Sequence, residues 1–364
     1  MTQKKLIIFM PSIEGGGVEK NLFIIANYLA KKIINISLIT SSYKYKKNFD
    51  KKINLIFPKK KFWNELGRRF KYLICLFLLI KLLIKNKETV VFSFQANLYC
   101  ILVCKLLSVK IVVRSNSAPE GWSKNFIKQY LYKKIINLAD KIIVNSYDFQ
   151  RSMKNKFNIN PDVIYNPLNK SEVIKKSKNK INKVFPKKSL KIINVGRFVD
   201  QKDQLTILKS LNLIKNKINF QLLLIGRGVL KRKLLNYTRS NNLTNNVKFI
   251  NFKNNPYPYI KKADLFILTS KYEGLPNVLL EAVLLKKFVI SSNCPTGPRE
   301  ILLNGKGGFL FPVGDYKNLS KKIILFNKDI NKNQKIINLA YKNLKRFDLD
   351  NNLKKYLDLI ISII

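Results

Sequence analysis

The sequence of 364 residues contains no histidine. Because histidine is the side chain that ordinarily titrates near neutral pH, its absence excludes histidine-based acid–base catalysis, Ser–His–Asp triads and the usual zinc sites. There are four cysteines, and none is paired in a Cys-x-x-Cys spacing. This pattern is typical of free thiols in a reducing compartment, so we expect no disulfides.

Acidic residues are scarce, with 21 Asp and Glu against 69 Lys and Arg and a formal net charge of +48. Such a charge favours a polyanionic partner, either an anionic membrane surface or a nucleic acid. Nucleic acid ranks lower, because the basic residues are spread along the whole chain without a zinc-finger, RNP-like or basic-zipper pattern. An AT-rich genome, which would enrich Lys, Asn and Ile everywhere, explains the charge as well as a selected membrane affinity does.

The chain has no apolar run long enough to cross a bilayer. The strongest stretch, YLICLFLLIKLLI at 72–84, is interrupted by Lys81 and is shorter than the ~20 residues that a span needs. We predict a domain helix there, although the preceding RRFK would suit an anionic membrane surface. The basic and apolar start of the chain leads into glycines without a cleavage site and is predicted to be the first strand.

Short β-branched runs alternate with helix-length segments in both halves of the chain, which is typical of α/β domains with mostly parallel sheets. A segment rich in Lys, Asn and Ser separates the two halves. We therefore predict domains at 1–168 and 190–345, a linker at 169–189, and a terminal helix within 346–364 that packs on the body. Such sheets bind ligands beyond the carboxyl ends of their strands.

The segment NVGRFVDQKD contains a strand that ends at Gly196, followed by Arg197 and by Lys202 at a helix start. Two cations beside helix amides are suited to a diphosphate that gains negative charge as it leaves. In so basic a chain, the alternative is a solvated pair of surface charges.

The segment KYEGLPNVLLEAVLL places Glu273 in a turn and Glu281 about one turn into a following helix. A carboxylate can accept two hydrogen bonds from a ribose diol or a sugar, and the amides of 274–278 can meet a phosphate. These residues could instead be surface charges. The otherwise apolar helix face favours a position for Glu281 on or beside the buried side, where it needs a partner.

The segment PSIEGGGVEKNL forms a glycine-rich turn in which Gly16 and Gly17 would let the backbone approach a ligand. It departs from Gly-x-Gly-x-x-Gly, and no acidic residue follows the second strand to hold a ribose, so an NAD site is disfavoured. A simple turn and a binding loop explain these glycines equally well.

Taken together, GGGVEK, GRFVDQKD, LLIGRGVLKRKL and EGLPNVLLEA resemble the family 4 retaining glycosyltransferases of GT-B architecture, in the order and spacing of that family. The resemblance covers nearly the whole chain. It implies an α/β GT-B fold, in which two Rossmann-like domains, an amino-terminal acceptor domain and a carboxyl-terminal donor domain, face a central cleft.

The resemblance also implies the roles of site residues. Glu281 would bind the donor ribose, Glu273 would face the donor sugar, and Arg197 and Lys202 would bind the diphosphate, so Glu273, Arg197 and Lys202 are the expected catalytic residues. The implied donor-binding residues are Gly16, Gly17, Gly196, Arg197, Lys202, Glu273, Gly274, Leu275, Pro276, Asn277 and Glu281.

The implied reaction moves a hexose or N-acetylhexosamine, with retention and without a metal or cofactor, from a nucleotide sugar that we expect to be UDP-linked. SNCPTGPREILLNGKGGFLFPVGD is similar to members that extend polyprenyl-diphosphate-linked glycans or surface polysaccharides, which also implies a place in polysaccharide or lipopolysaccharide biosynthesis. We expect a cytoplasmic protein on the inner face of the cell membrane, with a glycan or lipid-linked acceptor and no nucleic-acid partner. Alternatives are a sugar-nucleotide epimerase or other GT-B enzyme such as a phosphorylase, a Rossmann oxidoreductase, and a nucleic-acid-binding protein.

One departure from the family concerns its amino-terminal domain. Many members place a histidine after a strand of that domain, near the reacting sugar, and this chain has none. Arg114 and Asn116 in VVRSNSAP, and Asn97 after FSFQA, are the candidates for the acceptor or sugar side.

Overall fold

The computed structural model describes residues 5–59, 61–65, 67–86, 88–116, 119, 122, 125–182, 184–186 and 189–364. The chain forms two compact units. Unit 1 comprises Met1–Pro167 and Leu349–Ile364, and unit 2 comprises Leu168–Asp348.

Unit 1 is built on a parallel sheet whose strand order is β3-β2-β1-β4-β5-β6-β7. Its strands are β1 (Lys5–Phe9), β2 (Ile36–Ile39), β3 (Asn54–Ile56), β4 (Thr89–Ser93), β5 (Lys110–Arg114), β6 (Lys141–Val144) and β7 (Asp162–Val163). Both faces of the central strands are buried, so their middle positions are apolar without alternation, as in VVF of β4 and IVV of β5. Leu6 and Ile8 belong to one core, and Ile7 and Phe9 belong to the core on the opposite face.

Helices follow the strands of unit 1, as the sequence predicts for parallel connections. They are α1 (Gly17–Leu29), α2 (Arg68–Lys85), α3 (Asn97–Leu106), α4 (Phe126–Ile136) and α5 (Tyr147–Phe157). The core of Leu6 and Ile8 includes α1, and the core of Ile7 and Phe9 includes residues of α2, α3 and α5. The predicted helix at 72–84 is thus part of α2. No helix within the described residues is long and apolar enough to cross a membrane.

Unit 2 repeats this architecture with strand order β10-β9-β8-β11-β12-β13. Its strands are β8 (Leu190–Val195), β9 (Phe220–Gly226), β10 (Val247–Asn251), β11 (Leu265–Leu268), β12 (Phe288–Ser292) and β13 (Phe309–Phe311). Its helices are α6 (Lys170–Ser177), α7 (Gln204–Asn212), α8 (Lys231–Ser240), α9 (Tyr257–Lys262), α10 (Asn277–Leu284), α11 (Pro298–Ile301), α12 (Tyr316–Lys328) and α13 (Ile330–Lys342). Its pairings are parallel, so the carboxyl ends of β8 and β11, which are neighbours, lie at one edge.

The predicted linker at 169–189 contains helix α6, which belongs to unit 2 and packs against α9. The linker prediction is therefore wrong for this helix. Asn169 accepts a hydrogen bond from the amide of Glu172, and Val173 is fully buried. The cap and the buried residues Val173 and Ser177 order a segment whose composition resembles that of a loop.

The last helix, α14 (Leu349–Ile361), belongs to unit 1, and Leu353, Tyr356 and Ile360 enter the core that contains β1 and α1. The Tyr356 hydroxyl lies 2.9 Å from Nε of Arg114, at the end of β5. The chain therefore returns to unit 1 after completing unit 2.

All four cysteines are free and buried. Burial raises the pKa of Cys75 and of Cys294 to about 12, so these thiols are neutral and unreactive at physiological pH.

We expect Tyr356→Ala to lower the free energy of unfolding by about 3 kcal/mol, because it leaves a cavity and removes a hydrogen-bond partner of Arg114. Lys355→Ala, at an exposed position of the same helix, is the control and should change it by less than ~0.5 kcal/mol. Thermal and chemical denaturation measure both. Equal effects would mean that α14 does not stabilise unit 1 through its buried face.

Candidate active site

Four loops of unit 2 follow the carboxyl ends of β9, β8, β11 and β12, which are adjacent in the sheet. Two glycines show how closely these loops approach one another. A Cβ at Gly226 would overlap the carbonyl oxygen of Gly196, and one at Gly297 would overlap the carbonyl oxygen of Gly274. Gly297 also has φ +90°, which favours glycine. Only glycine therefore permits this packing of the loops.

The loop after β8 carries Arg197 and ends in a short 3₁₀ helix, Asp200–Lys202, before α7. Buried polar side chains fix its path. Asn194 donates to the carbonyl of Ile267 at 2.8 Å, which joins the ends of β8 and β11. Gln204 donates to the carbonyl of Arg197 at 3.0 Å.

A further hydrogen bond ties this loop to β11, because the hydroxyl of Thr269 donates to the carbonyl of Lys202 at 2.9 Å. The sequence reasoning missed these positioning residues. The polar position at the end of an otherwise apolar strand, in IINVG, is the signal that could have identified Asn194.

The site contains an ion pair between Lys202 Nζ and Glu273 Oε1. The side chains are 15 and 8 % exposed, so the pair is largely removed from water. Lys202 and Glu273 are 71 positions apart, and two separate sequence motifs predict them as site residues. In the structure they are in direct contact. A cation and a carboxylate in contact at low exposure interact much more strongly than a surface pair.

Arg197 lies on the same loop as Lys202, and its side chain is exposed. Within the described residues it forms no ion pair or side-chain hydrogen bond, so its charge is free to meet an anion. Arg227, in the adjacent loop after β9, is a second exposed cation, and its carbonyl accepts a hydrogen bond from the amide of Phe198 at 2.8 Å. Arg227 belongs to the motif LLIGRG, but the sequence analysis does not predict a role for it.

Glu281 lies in α10, which begins at Asn277 as predicted. The side chain of Glu281 is buried and accepts a hydrogen bond from the hydroxyl of Tyr257 at 3.2 Å. The prediction that Glu281 lies on a buried side and needs a partner is confirmed. The partner, Tyr257, could not be predicted, because it is on α9 and no local pattern links the two.

The turn that precedes α10 contains Gly274, Leu275 and Pro276, and the residue before the helix, Pro276, has no side chain that can cap it. A helix N-terminus whose N-cap residue provides no side-chain cap is a position where an anion can bind. Thr296, also missed from the sequence, donates its hydroxyl to the carbonyl of Glu273 and holds this turn against the loop after β12.

In unit 1, Gly16 and Gly17 lie at the start of α1, after Gly15, which has φ +84°. The Glu19 carboxylate folds back over this turn and accepts hydrogen bonds from the amides of Gly16 at 2.9 Å and Glu14 at 3.2 Å. The GGGVE motif thus forms a capping arrangement in which Glu19 provides the anion. The proximity of Gly16 and Gly17 to a diphosphate stays a prediction.

The three candidates of the amino-terminal unit lie in one hydrogen-bonded network. Asn97 donates to the carbonyl of Arg114 at 3.0 Å, and Asn116 accepts from the Arg114 guanidinium and donates to the carbonyl of Phe94 at 2.8 Å. Arg114 is fully buried and also binds Asn166 at 2.6 Å. Asn97 and Asn116 are partly exposed, so they can meet a ligand, whereas Arg114 positions its neighbours.

Comparison with known families identifies the class of protein. Residues 15–172 match the family described as glycosyltransferase family 4, and residues 175–343 match the family described as glycosyl transferases group 1. An uncharacterised glycosyltransferase of Methanocaldococcus jannaschii is 32% identical over 282 residues, which span 71% of this chain and 68% of the relative. The chain therefore belongs to the family 4 glycosyltransferases.

A second relative matches nearly end to end. It is an N-acetylgalactosamine-N,N'-diacetylbacillosaminyl-diphospho-undecaprenol 4-alpha-N-acetylgalactosaminyltransferase of Campylobacter jejuni, 26% identical over 95% of this chain and 96% of its own length.

Solved structures agree with the predicted GT-B fold. The sucrose-phosphate synthase of Thermosynechococcus elongatus has a TM-score of 0.83 at 16% identity and covers 99% of each chain. Anabaena HepE, solved in complex with UDP-glucose, has a TM-score of 0.78 at 18% identity and covers 99% of this chain and 100% of its own. The fold prediction is confirmed, and the protein is a glycosyltransferase.

We expect Lys202→Ala to lower the free energy of unfolding by about 3 kcal/mol, because it leaves the Glu273 carboxylate buried without its cation. The double variant Lys202→Ala/Glu273→Gln should regain most of that loss, since it removes the unpaired charge. Denaturation curves of the three proteins measure the coupling.

Lys271→Ala is the matched control, because Lys271 forms an ion pair with Asp200 that joins the same two loops but has side chains that are 40 and 80 % exposed. Breaking such a surface pair should change stability by less than ~1 kcal/mol. If Lys202→Ala were as mild as Lys271→Ala, the buried pair would not stabilise this site.

Proposed function

We propose that this enzyme transfers a hexose or N-acetylhexosamine, with retention of configuration, from a UDP-sugar to a glycan or polyprenyl-diphosphate-linked acceptor. The observation that carries the donor site is the contact between Lys202 and Glu273 at the ends of β8 and β11, with Arg197 exposed on the same loop. The proposed setting is surface polysaccharide or lipopolysaccharide biosynthesis.

Each residue has a distinct role in the proposal. Arg197 and Lys202 bind the diphosphate and stabilise the charge that develops on it as the bond to the sugar breaks. Glu281, held by Tyr257, accepts hydrogen bonds from the ribose hydroxyls. Glu273 faces the donor sugar. The backbone amides of Gly274, Leu275 and Asn277 lie beside the phosphates, and Pro276, which has no N–H, shapes the same turn.

The chemistry balances without histidine. The bond between the sugar C1 and the diphosphate oxygen breaks, and a bond from the acceptor oxygen to C1 forms on the same face. The acceptor proton passes to the departing diphosphate. The protein contributes charge and orientation, and the proposal requires neither a metal nor a cofactor, because Arg197 and Lys202 supply the positive charge.

The Lys202–Glu273 pair prepares the site for this reaction. Glu273 keeps the Lys202 ammonium in a fixed place at 15% exposure, so little reorganisation is needed when the diphosphate arrives. The incoming phosphate then shares Lys202 with Glu273.

Relatives support the choice of substrates. The Campylobacter relative is named for a diphospho-undecaprenol acceptor, and a Staphylococcus aureus protein named for capsular polysaccharide biosynthesis is 30% identical over 50% of this chain. HepE has been solved with UDP and with UDP-glucose. These names favour a UDP-sugar donor and a polymeric or lipid-linked acceptor.

The proposal places the enzyme in the cytoplasm, on the inner face of the cell membrane, where a lipid-linked acceptor would be reached. The net charge of +48 favours an anionic surface there. No nucleic-acid partner is part of the proposal.

We expect Arg197→Ala to lower the rate of transfer about 100-fold or more while leaving the fold intact, because Arg197 is exposed and forms no side-chain bond in the described residues. Arg239→Ala, an exposed arginine at the last turn of α8, is the control and should retain full activity. Sugar transfer to an acceptor extract from radiolabelled UDP-sugars measures both. Ordinary turnover by Arg197→Ala would remove the diphosphate assignment.

A panel of nucleotide sugars in a thermal unfolding assay would identify the donor. A donor at 100 times its Kd should stabilise the native protein by roughly 2.7 kcal/mol, and Arg197→Ala should abolish most of that shift. Incubation of the donor without an acceptor separates a transferase from an epimerase, because only an epimerase changes the donor alone. No shift with any UDP-sugar would contradict the proposed donor.

A further inference from the structure

Helix α2 of unit 1 is apolar on two opposite sides. Cys75, Leu76, Leu79 and Leu83 form the side that enters the core. The opposite side carries Phe70, Leu73, Phe77 and Ile84, which recur at spacings of three, four and seven residues and are 55 to 63 % exposed. A helix with two apolar sides is usually covered on both, and within the described residues nothing covers this second side.

The exposed side of α2 is continued by its neighbours. Helix α3 packs against both α2 and α4. On α3, Leu106 is 84% exposed and Tyr99 is exposed as well, and on α4, Phe126 is 81% exposed. The other exposed apolar residues of these two helices are Leu102, Ile127, Tyr130 and Leu131. We call the exposed sides of α2, α3 and α4 the apolar face of unit 1.

The charge of these helices has a single sign. Helix α2 contains five Lys or Arg residues, α3 contains one and α4 contains three, and none of the three helices contains Asp or Glu. Arg69, Lys81 and Lys85 of α2 are exposed, as are Lys128 and Lys134 of α4. Exposed aromatic and aliphatic side chains interspersed with cations are the composition of a surface that lies in the headgroup region of a bilayer.

We propose that the apolar face of unit 1 docks onto a bilayer that contains anionic phospholipid. The aromatic and aliphatic side chains of α2, α3 and α4 enter the boundary between headgroups and acyl chains, and the Lys and Arg side chains bind the lipid phosphates. This rests on the membrane location in the proposed function and deepens it by naming the surface, and it does not depend on the identity of the sugar donor or acceptor.

Two other occupants fit less well. A second copy of this chain would bring two faces of the same positive charge together across a symmetric interface, and the three helices themselves contain no acidic residue to offset the repulsion. A nucleic acid would neutralise the cations, but Leu73, Leu106 and Ile127 would remain exposed beside a phosphate backbone. A bilayer satisfies both the charge and the apolar side chains.

The test uses the full chain and sucrose-loaded vesicles of phosphatidylcholine with about 30% phosphatidylglycerol, at about 150 mM salt. We expect the wild type to co-sediment with these vesicles and at least tenfold less with phosphatidylcholine alone. Phe70→Ser/Leu73→Ser/Phe77→Ser should reduce binding to the anionic vesicles at least tenfold. Val229→Ser, at an 87% exposed position of unit 2, is the control and should bind like the wild type.

A second set of variants removes charge without altering the apolar residues. Arg69→Gln/Lys81→Gln/Lys85→Gln should also weaken binding at least tenfold, since each cation near an anionic surface contributes about fivefold. Arg232→Gln/Lys233→Gln/Lys253→Gln removes the same charge from exposed positions of unit 2 and should have a much smaller effect. Because both sets lie at exposed positions, thermal unfolding should confirm that all variants fold.

Three outcomes would overturn the proposal. One is the absence of binding to anionic vesicles by the wild type. Another is equal binding by the two charge variants, which would mean that only total charge matters. The third is salt-sensitive binding to single-stranded RNA without binding to vesicles, which would favour a nucleic-acid partner. The first outcome would also contradict the proposed membrane location, but none of the three bears on sugar transfer itself, which the Arg197→Ala variant and the donor panel test separately.

Discussion

The ion pair between Lys202 and Glu273 is the interaction on which the donor site depends. At 15 and 8 % exposure both side chains are largely removed from water, so each charge stabilises the other in the absence of a ligand. The two residues meet because β8 and β11 are parallel neighbours whose ends lie at one edge. Gly226 and Gly297 then allow the adjacent loops to pack against this edge without a Cβ between them.

A comparison with Arg114 shows why this pair is suited to a ligand. Arg114 is also a buried cation, but it is fully buried and satisfied by the neutral side chains of Asn116, Asn166 and Tyr356, with no carboxylate partner among the described residues. Lys202 keeps partial exposure, and Arg197 beside it is exposed. Of these three cations, the accessible ones, Arg197 and Lys202, lie in unit 2, whereas the buried Arg114 joins β5 to α14 in unit 1.

The parts of this structure that follow from local patterns could be predicted from the sequence. The apolar β-branched runs predicted the strands, and Glu281 within an apolar helix face predicted a buried carboxylate. The rest depends on contacts between distant segments. Asn169 and Val173 order a helix where composition suggested a linker, Tyr257 reaches Glu281 from another helix, and the return of α14 to unit 1 depends on a core that no local pattern describes.

The structure also changes what the positive charge of the chain means. Composition alone could not distinguish an AT-rich genome, which enriches lysine, from selection for a membrane-binding surface, because both would raise the number of cations in the chain. Genome composition does not explain why α2 presents Phe70, Leu73 and Phe77 to solvent on the side opposite its buried face. Exposed apolar residues favour self-association of the protein, whereas the cations among them oppose it. A partner with a negatively charged surface and an apolar interior, such as an anionic bilayer, satisfies both kinds of side chain.

Helix α2 begins at Arg68, which binds the Glu14 carboxylate at 2.7 Å, and Glu14 immediately precedes the glycine turn of α1. An exposed ion pair thus links the amino-terminal end of α2 to the residue before the glycine turn, which places one end of the apolar face beside that turn.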